Sequence, residues 1–181
     1  MSEDPVDRLY GLPLEDFVRE RDALARELRR AGDREAADAV KRLAKPSRAA
    51  GALNRLVRER PDEVRGLVEA GEALAGAQDE LLGGAPPRVL RDAVEAARRL
   101  VDALAAEAAP EGPTREKVRA SLHAATVDPE ARAELASGRV VRERVAAGFG
   151  GLDAALAGAA PRGRAAGARR RKDRSAGAPP P

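Results

Sequence analysis

The segment 41–60 contains residues of the types that bind phosphate groups. It carries seven basic residues against one acidic residue. Lysine and arginine neutralise phosphates, and an asparagine amide can pair with the edge of an adenine. The segment therefore predicts a contact surface for a nucleic acid. Its candidate contacts are Lys45, Arg48, Asn54, Arg55 and Arg58.

Two interpretations of this segment are open. In the first, the helices on either side of the 45–47 turn form a helix-turn-helix, the second helix lies in a DNA major groove, and Asn54 reads a base. In the second, which we favour, the cations form a solvated helix face that pairs with acidic neighbours such as Asp38, Glu59 and Glu63. The turn carries proline where such motifs usually carry glycine. Gly51 in mid-helix costs about 1 kcal/mol relative to alanine, which indicates either close packing or drift.

The end of the chain is a second basic segment. Residues 161–181 hold seven basic residues and one acidic residue, whereas residues 1–160 hold 26 basic and 29 acidic residues. From about residue 157 the sequence lacks large apolar side chains, which predicts a disordered tail. Such a tail attracts polyanions through counterion release or serves only to keep the protein in solution, and both alternatives stay open. Its candidate contacts are Arg162, Arg164, Arg169, Arg170, Arg171, Lys172 and Arg174.

Catalytic and metal-binding chemistry has few candidates in this sequence. His123 is the single histidine and there is no cysteine, which excludes a two-histidine zinc site and a cysteine-ligated metal. The sequence does not place a nucleophile beside a base. The glycine-rich stretch 148–151 lacks the lysine and hydroxyl residue of a P-loop. We therefore predict no enzymatic activity, no catalytic or metal-binding residue, no cofactor and no small-molecule substrate.

The composition predicts an all-α fold, because alanine, leucine, arginine and glutamate are good helix formers. Short connections favour a compact multi-helix bundle or an array of helical hairpins. We predict a helical domain over 1–156 and a disordered basic tail over 157–181. Apolar spacing and proline or glycine breaks predict seven helices, with a weaker helical signal over 140–156. The seven helices are 13–31, 34–44, 48–60, 62–82, 88–108, 115–126 and 129–137.

The sequence shows no sign of a membrane span or of a signal peptide. No run of 18 apolar residues occurs, and the acidic N-terminus lacks an apolar stretch. We therefore expect a cytoplasmic protein with no membrane partner.

Several short motifs point to a known kind of protein. The chain has Leu-Tyr-x-Leu-Pro-x-x-x-Phe at 9–17, Arg-Asp-Ala-Leu-Ala at 21–25, a Lys-Pro-Ser turn at 45–47, Asn-x-Leu at 54–56 and a DPEAR…LASGR stretch over 128–139. In these motifs it resembles a family of uncharacterised all-helical proteins from GC-rich actinobacteria-like bacteria, whose members often carry an aromatic residue where this chain has Gly51. The resemblance implies a helical fold and a cytoplasmic location, and it brings no site residue.

Two functions are consistent with these features. The first is a non-enzymatic helical interaction protein that docks on another protein or on itself through apolar helix faces. The alternative is a nucleic-acid-associated protein that binds the phosphate backbone through the Arg-rich tail and the basic segment 41–60.

Overall fold

The computed structural model describes residues 4–109 and 111–145, and the regular structure within these ranges is entirely α-helical. This confirms the predicted all-α class. The described residues belong to one compact unit, Met1–Gly148. The predicted tail over 157–181 and the predicted boundary at 156 lie outside the described residues. The helices are α1 (Pro5–Gly11), α2 (Phe17–Arg30), α3 (Arg34–Lys41), α4 (Arg48–Glu59), α5 (Pro61–Leu82), α6 (Pro87–Ala108), α7 (Pro113–Val127) and α8 (Pro129–Ser137).

Helix α1 is the one described helix that the sequence analysis did not predict. Asp4 caps it by accepting a hydrogen bond from the Val6 N–H at 2.9 Å, and Pro5 occupies its first turn. An Asp-Pro pair begins α8 in the same way, and there the pair was recognised. Proline suits the first helical position because its missing N–H would be unsatisfied there in any case.

The other predicted helices agree with the structure to within a few residues, with two exceptions. Helix α2 begins at Phe17 and not at residue 13, because residues 13–16 form a turn in which the Asp16 N–H donates to the Pro13 carbonyl at 3.0 Å. The helical signal over 140–156 was wrong for residues 140–145, which are not helical. The remainder of that stretch lies outside the described residues.

The core consists of three apolar clusters. The largest cluster contains residues of the five helices α4, α5, α6, α7 and α8 and is centred on Leu53, Leu67 and Leu122. A second joins α1, α2 and α3 around an edge-to-face contact of Tyr10 and Phe17, whose ring centroids are 5.3 Å apart. The third cluster lies between the C-terminal half of α5 and the N-terminal half of α6. Many of the buried residues are alanines, and each of them removes little apolar area from water at about 25 cal/mol per Å².

Helix α4 is the centre of this arrangement. It contacts α1, α5, α6, α7 and α8, and its side chains Ala49, Ala50, Leu53 and Leu56 are buried. Polar residues on α4 are therefore close to several other parts of the chain, and their roles depend on which neighbour each one meets. No helix within the described ranges has the length and apolar character needed to cross a membrane.

Candidate nucleic-acid interface

Asn54, the predicted base-reading residue, is completely buried. Its Nδ2 donates to the Val140 carbonyl at 2.9 Å, and its Oδ1 accepts from the Val140 N–H at 2.8 Å. The amide thus forms with the backbone of Val140 the two hydrogen bonds that a neighbouring β-strand would supply. The expectation that Asn54 reads an adenine edge was wrong, because both ends of its amide are used inside the protein.

Residues 139–145 form a non-helical segment that is hydrogen-bonded to α4 through Asn54 and to α7 through Ser121, and we call it the strap. Besides the Asn54 pair, the Ser47 N–H donates to the Val141 carbonyl at 3.0 Å. The Ser47 hydroxyl donates to the Glu143 carboxylate at 2.7 Å and also accepts the Ala50 N–H as the cap of α4. The Lys-Pro-Ser turn and Asn54 therefore hold the strap at two points along the same helix.

Glu143 is the charged anchor of the strap. Its carboxylate accepts from Lys117 Nζ at 2.6 Å and from the Ser47 hydroxyl. These two donors stabilise the ionised form and lower the pKa of Glu143 from 4.5 to about 2, with the Lys117 contact as the largest cause. The strap is therefore bound most firmly at pH values at which the Glu143 carboxylate is ionised.

Arg58 lies deeper in the molecule than the sequence analysis expected. Its guanidinium donates to the carbonyl oxygens of Asp7 at 2.6 Å, Asn54 at 2.8 Å and Gly138 at 3.0 Å. A Cβ atom at Gly11 would lie 2.9 Å from Arg58 Nε, so a side chain there would displace the guanidinium. Arg58 thus joins α1, α4 and the end of α8. Both terminal nitrogens of Arg58 bind backbone carbonyls, so they do not form the freely available cation that the predicted phosphate contact needs.

The strap also fastens the N-terminal helix. Arg139 Nε donates to the Asp7 carboxylate at 2.6 Å, and its Nη2 pairs with Asp4 at 2.5 Å. The Arg139 contact lowers the pKa of Asp7 below its usual value. Arg58 and Arg139 thus connect the N-terminal helix α1 to α4 and to the strap.

The exposed surface of helix α4 is a single stripe. Arg48, Arg55 and Glu59 are exposed along it, whereas Ala49, Ala50, Leu53, Asn54 and Leu56 are buried. A recognition helix presents one long face to the floor of a major groove. The helix-turn-helix alternative, which was not the favoured one, loses Asn54 as its base-reading residue and otherwise stays a hypothesis.

The favoured alternative, a solvated face paired with acidic neighbours, describes part of the segment. Lys41 pairs with Asp22 at 2.8 Å, and Arg60 pairs with Glu107 and lies 3.9 Å from Glu63. The named acidic residue Asp38 instead pairs with Arg29 on α2, at 2.6 Å. Close ion pairs therefore account for Lys41 and Arg60, and Arg55 has one long ion pair with Glu59 at 4.0 Å.

Three cations in the middle of the segment are left largely unneutralised. The side chains of Lys45 and Arg48 are exposed and make neither a hydrogen bond nor an ion pair with any residue that the structure describes. Arg55 donates a long hydrogen bond of 3.4 Å to the Ala108 carbonyl and lies 4.0 Å from Glu59. We call Lys45, Arg48 and Arg55 the basic face. It is the part of the predicted interface that the fold leaves accessible.

A cleft of about 370 Å³ lies beside the basic face. The sequence analysis missed this cleft, because its walls come from three separate parts of the chain. The one local signal was Gly51, where a Cβ atom would lie 2.9 Å from Leu14 Cδ2. Close packing is therefore the reason for this glycine. The lining residues are 11–15 in the α1–α2 turn, Arg48, Gly51, Ala52 and Arg55 in α4, and Ala108, Ala109 and Thr114 at the α6–α7 junction.

The remaining predicted site residues and chemistries add little to this surface. The seven tail cations at 162–174 lie outside the described residues. His123 is half-buried on α7. Within 4–109 and 111–145, no group of three or more histidine, aspartate or glutamate residues is arranged to hold a metal ion.

Comparison with other proteins gives no further guidance to function. No family model, no curated protein and no solved structure matches this chain. The candidate interface therefore consists of the basic face and the cleft, as their own geometry defines them.

Proposed function

We propose that the protein is a non-enzymatic nucleic-acid-binding protein that contacts the phosphate backbone through the basic face and the Arg-rich tail. The observation that carries this proposal is that Lys45 and Arg48 are exposed without a carboxylate partner in the described structure. A protein cation that has no internal partner can neutralise a phosphate and release its counterions.

The charge distribution supports the same function. Residues 1–160 together carry more acidic than basic side chains, whereas the segment 41–60 and residues 161–181 each carry seven basic residues and one acidic residue. Contacts of this kind recognise the phosphates and not the base sequence. We therefore expect binding that weakens steeply with salt and depends little on sequence.

Docking through apolar helix faces is the competing function, and the packing offers it little surface. Among the residues that the structure describes, the large apolar side chains with extensive exposure are Val18, Leu82 and Val145. They belong to α2, to the end of α5 and to the strap, so they come from three different elements. The apolar faces that suggested a docking protein are used in the three core clusters instead.

Fluorescence anisotropy with the full-length chain tests the proposal. A labelled oligonucleotide is titrated at salt concentrations from about 50 to about 200 mM, and we expect a linear fall of log K with log salt. The triple variant Lys45→Gln, Arg48→Gln, Arg55→Gln should reduce affinity at least about tenfold. It should also lower the salt slope by about 0.7 for each phosphate of a single strand that it no longer neutralises.

A matched control removes the same charge elsewhere. Arg34, Arg88 and Arg91 are exposed on α3 and α6 and have no partner among the described residues. Their change to glutamine should leave affinity nearly unchanged. A full-length variant with all seven tail cations replaced by glutamine separates the contribution of the tail. Absence of binding at low salt by the unaltered chain would contradict the proposal.

A further inference from the structure

Helices α5 and α6 form a hairpin that other helices cover along only part of its length. Near Val64 and Leu104 the hairpin belongs to the largest cluster, in which α4, α7 and α8 pack against it. Towards the turn between the two helices, the third cluster contains one described residue from outside the hairpin, Val127 at the end of α7. The 22 residues of α5 span about 33 Å and the 15 residues of α7 about 22 Å, so α7 is too short to follow the hairpin to its turn.

One stripe of α5 changes from covered to uncovered along the helix. A Cβ atom at Gly71 would lie 2.9 Å from the Thr126 carbonyl oxygen, so the body of the protein meets the helix there. Ala75, Asp79 and Leu82 follow Gly71 at steps of four, four and three residues, which places them on the same helix face. All three are exposed. Leu82 is 87% exposed, the largest exposed fraction among the large apolar side chains that the structure describes.

Helix α6 carries a matching stripe beside it. Pro87, Arg91 and Val94 are spaced four and three residues apart, and Val94 packs in the third cluster with Val127. Because Val127 and its neighbour Thr126 each meet one of the two stripes, both stripes lie on the side of the hairpin that α7 covers farther from the turn. Pro87 and Arg91 are exposed. The two stripes together are called the hairpin patch, which consists of Ala75, Asp79, Leu82, Pro87, Arg91 and Val94.

The hairpin patch carries one charge of each sign, and neither is neutralised. The side chains of Asp79 and Arg91 make neither a hydrogen bond nor an ion pair with any residue that the structure describes. Asp79 lies three residues before the end of α5, and Arg91 lies four residues after the start of α6. Both are therefore about 5 Å from the turn at 1.5 Å per residue. One helix supplies a carboxylate and the other a guanidinium at the same depth.

A surface of this kind is complementary to a second copy of itself. In a two-fold dimer, residue i of one copy meets residue j of the other, and j meets i. With the axis parallel to the hairpin, α5 of each copy faces α6 of the other, so Asp79 of each copy meets Arg91 of the other. A partner surface of a single sign would instead place one of these two charges against a like charge. The charges therefore favour a second copy of this chain as the occupant.

We propose that the hairpin patch is a self-association surface, on which two copies of the chain pack their α5–α6 hairpins into a four-helix bundle. Leu82 and Val94 supply the apolar contact, and two ion pairs between Asp79 and Arg91 set the orientation of the copies. The contact is small, so the dimer is weak. Ala108, at the other end of α6, lines the cleft, so each copy keeps its own basic face free. This inference does not rest on the proposed function.

The experiment is sedimentation equilibrium of the full-length protein at concentrations from about 5 to about 200 µM. We expect the apparent molar mass to rise with concentration from that of one chain towards that of two. Leu82→Glu should keep the mass of one chain throughout, because it would bury a carboxylate without a partner. The change alters an exposed side chain, so urea stability should be unchanged. Val18→Glu is the matched control at an exposed apolar residue of α2 and should associate as the unaltered chain does.

Exchange of the two charges tests the predicted pairing. Asp79→Arg and Arg91→Asp should each weaken association at least about tenfold, because each places like charges opposite one another. A mixture of the two variants should associate again, since one copy then presents two arginines to the two aspartates of the other. A molar mass of one chain for the unaltered protein throughout the range would overturn the inference. Undiminished association of Leu82→Glu, or a mixture no heavier than its separate components, would overturn it as well.

Discussion

The face of α4 that meets the strap and the face that lines the cleft differ in what surrounds their polar side chains. On the strap side, Asn54 and Arg58 form every hydrogen bond mentioned above with backbone groups, and all but one of these groups belong to residues distant in the sequence. On the cleft side, Arg48 has no partner in the described structure, and Arg55 has only long contacts. The comparison teaches that arginines three residues apart can have opposite roles, because burial and neighbours decide whether a cation is available to a ligand.

Replacement of Asn54 by alanine should give the largest effect on the strap side. It removes two hydrogen bonds and leaves the N–H and carbonyl of Val140 buried without partners. An unsatisfied buried polar group costs about 1–3 kcal/mol, so we expect the free energy of unfolding to fall by about 2–4 kcal/mol. Urea denaturation followed by circular dichroism measures this change. A loss below about 0.5 kcal/mol, the range of ordinary surface substitutions, would mean that the strap does not depend on this pair.

Replacement of Arg58 by glutamine should come next in magnitude. The shorter amide cannot reach the Asp7, Asn54 and Gly138 carbonyls together, and hydrogen bonds to a charged group each contribute about 1.5–3 kcal/mol. Because glutamine can keep one of these hydrogen bonds, we expect a net loss of about 2–3 kcal/mol in the same denaturation measurement. The neighbouring change Arg55→Gln is the control and should stay within about 0.5 kcal/mol. Equal losses in the two variants would remove the distinction between the faces.

The pH dependence of stability should show the charged anchor of the strap. The pKa of Glu143 is about 2 in the folded protein and 4.5 as the ordinary value, so the folded state binds fewer protons between these pH values than the unfolded state. The stabilisation is present above about pH 4.5 and is lost as the pH falls towards 2. After allowance for solvent screening we expect about 1–2 kcal/mol from this carboxylate.

Glu143→Gln isolates that contribution from those of other carboxylates. The pKa of Asp22 is also lowered, chiefly by its contact with Lys41, so the unaltered protein loses stability in acid for more than one reason. The difference in unfolding free energy between the two proteins should shrink as the pH falls from 6 to 3, because below about pH 4.5 the unfolded chain binds a proton at Glu143 that the folded protein, with a pKa of about 2, does not. A difference independent of pH would contradict the role given to Glu143.

Much of the helical framework could be predicted from the sequence, because its signals are local. Caps such as Ser47 and Asp33, together with proline and glycine breaks, mark the helix ends within a few residues of the described bounds. Helix α1 was missed although its Asp-Pro start resembles that of α8. The strap could not be found in this way, since a non-helical segment without its own periodicity takes its conformation from the residues that bind it.

The candidate site was predicted only in part, for a related reason. Residue type and spacing correctly placed Arg48 and Arg55 on one exposed face of a helix. The same criteria included Asn54 and Arg58, whose partners lie as far as 86 residues away in the chain. The cleft depends on the α1–α2 turn and the α6–α7 junction, and a helical wheel of α4 contains neither. Gly51 was the one local indication of the cleft, because a glycine in mid-helix is destabilising and therefore indicates close packing at that position.

One paired measurement tests the central claim most directly. Arg55→Gln and Arg58→Gln make the same chemical change three residues apart, and each variant is examined for urea stability and for affinity to a single-stranded oligonucleotide under conditions where it is folded. We predict that Arg55→Gln weakens binding about threefold or more without loss of stability, and that Arg58→Gln lowers stability while the folded protein binds as before. Weakened binding by folded Arg58→Gln together with unchanged binding by Arg55→Gln would contradict this account.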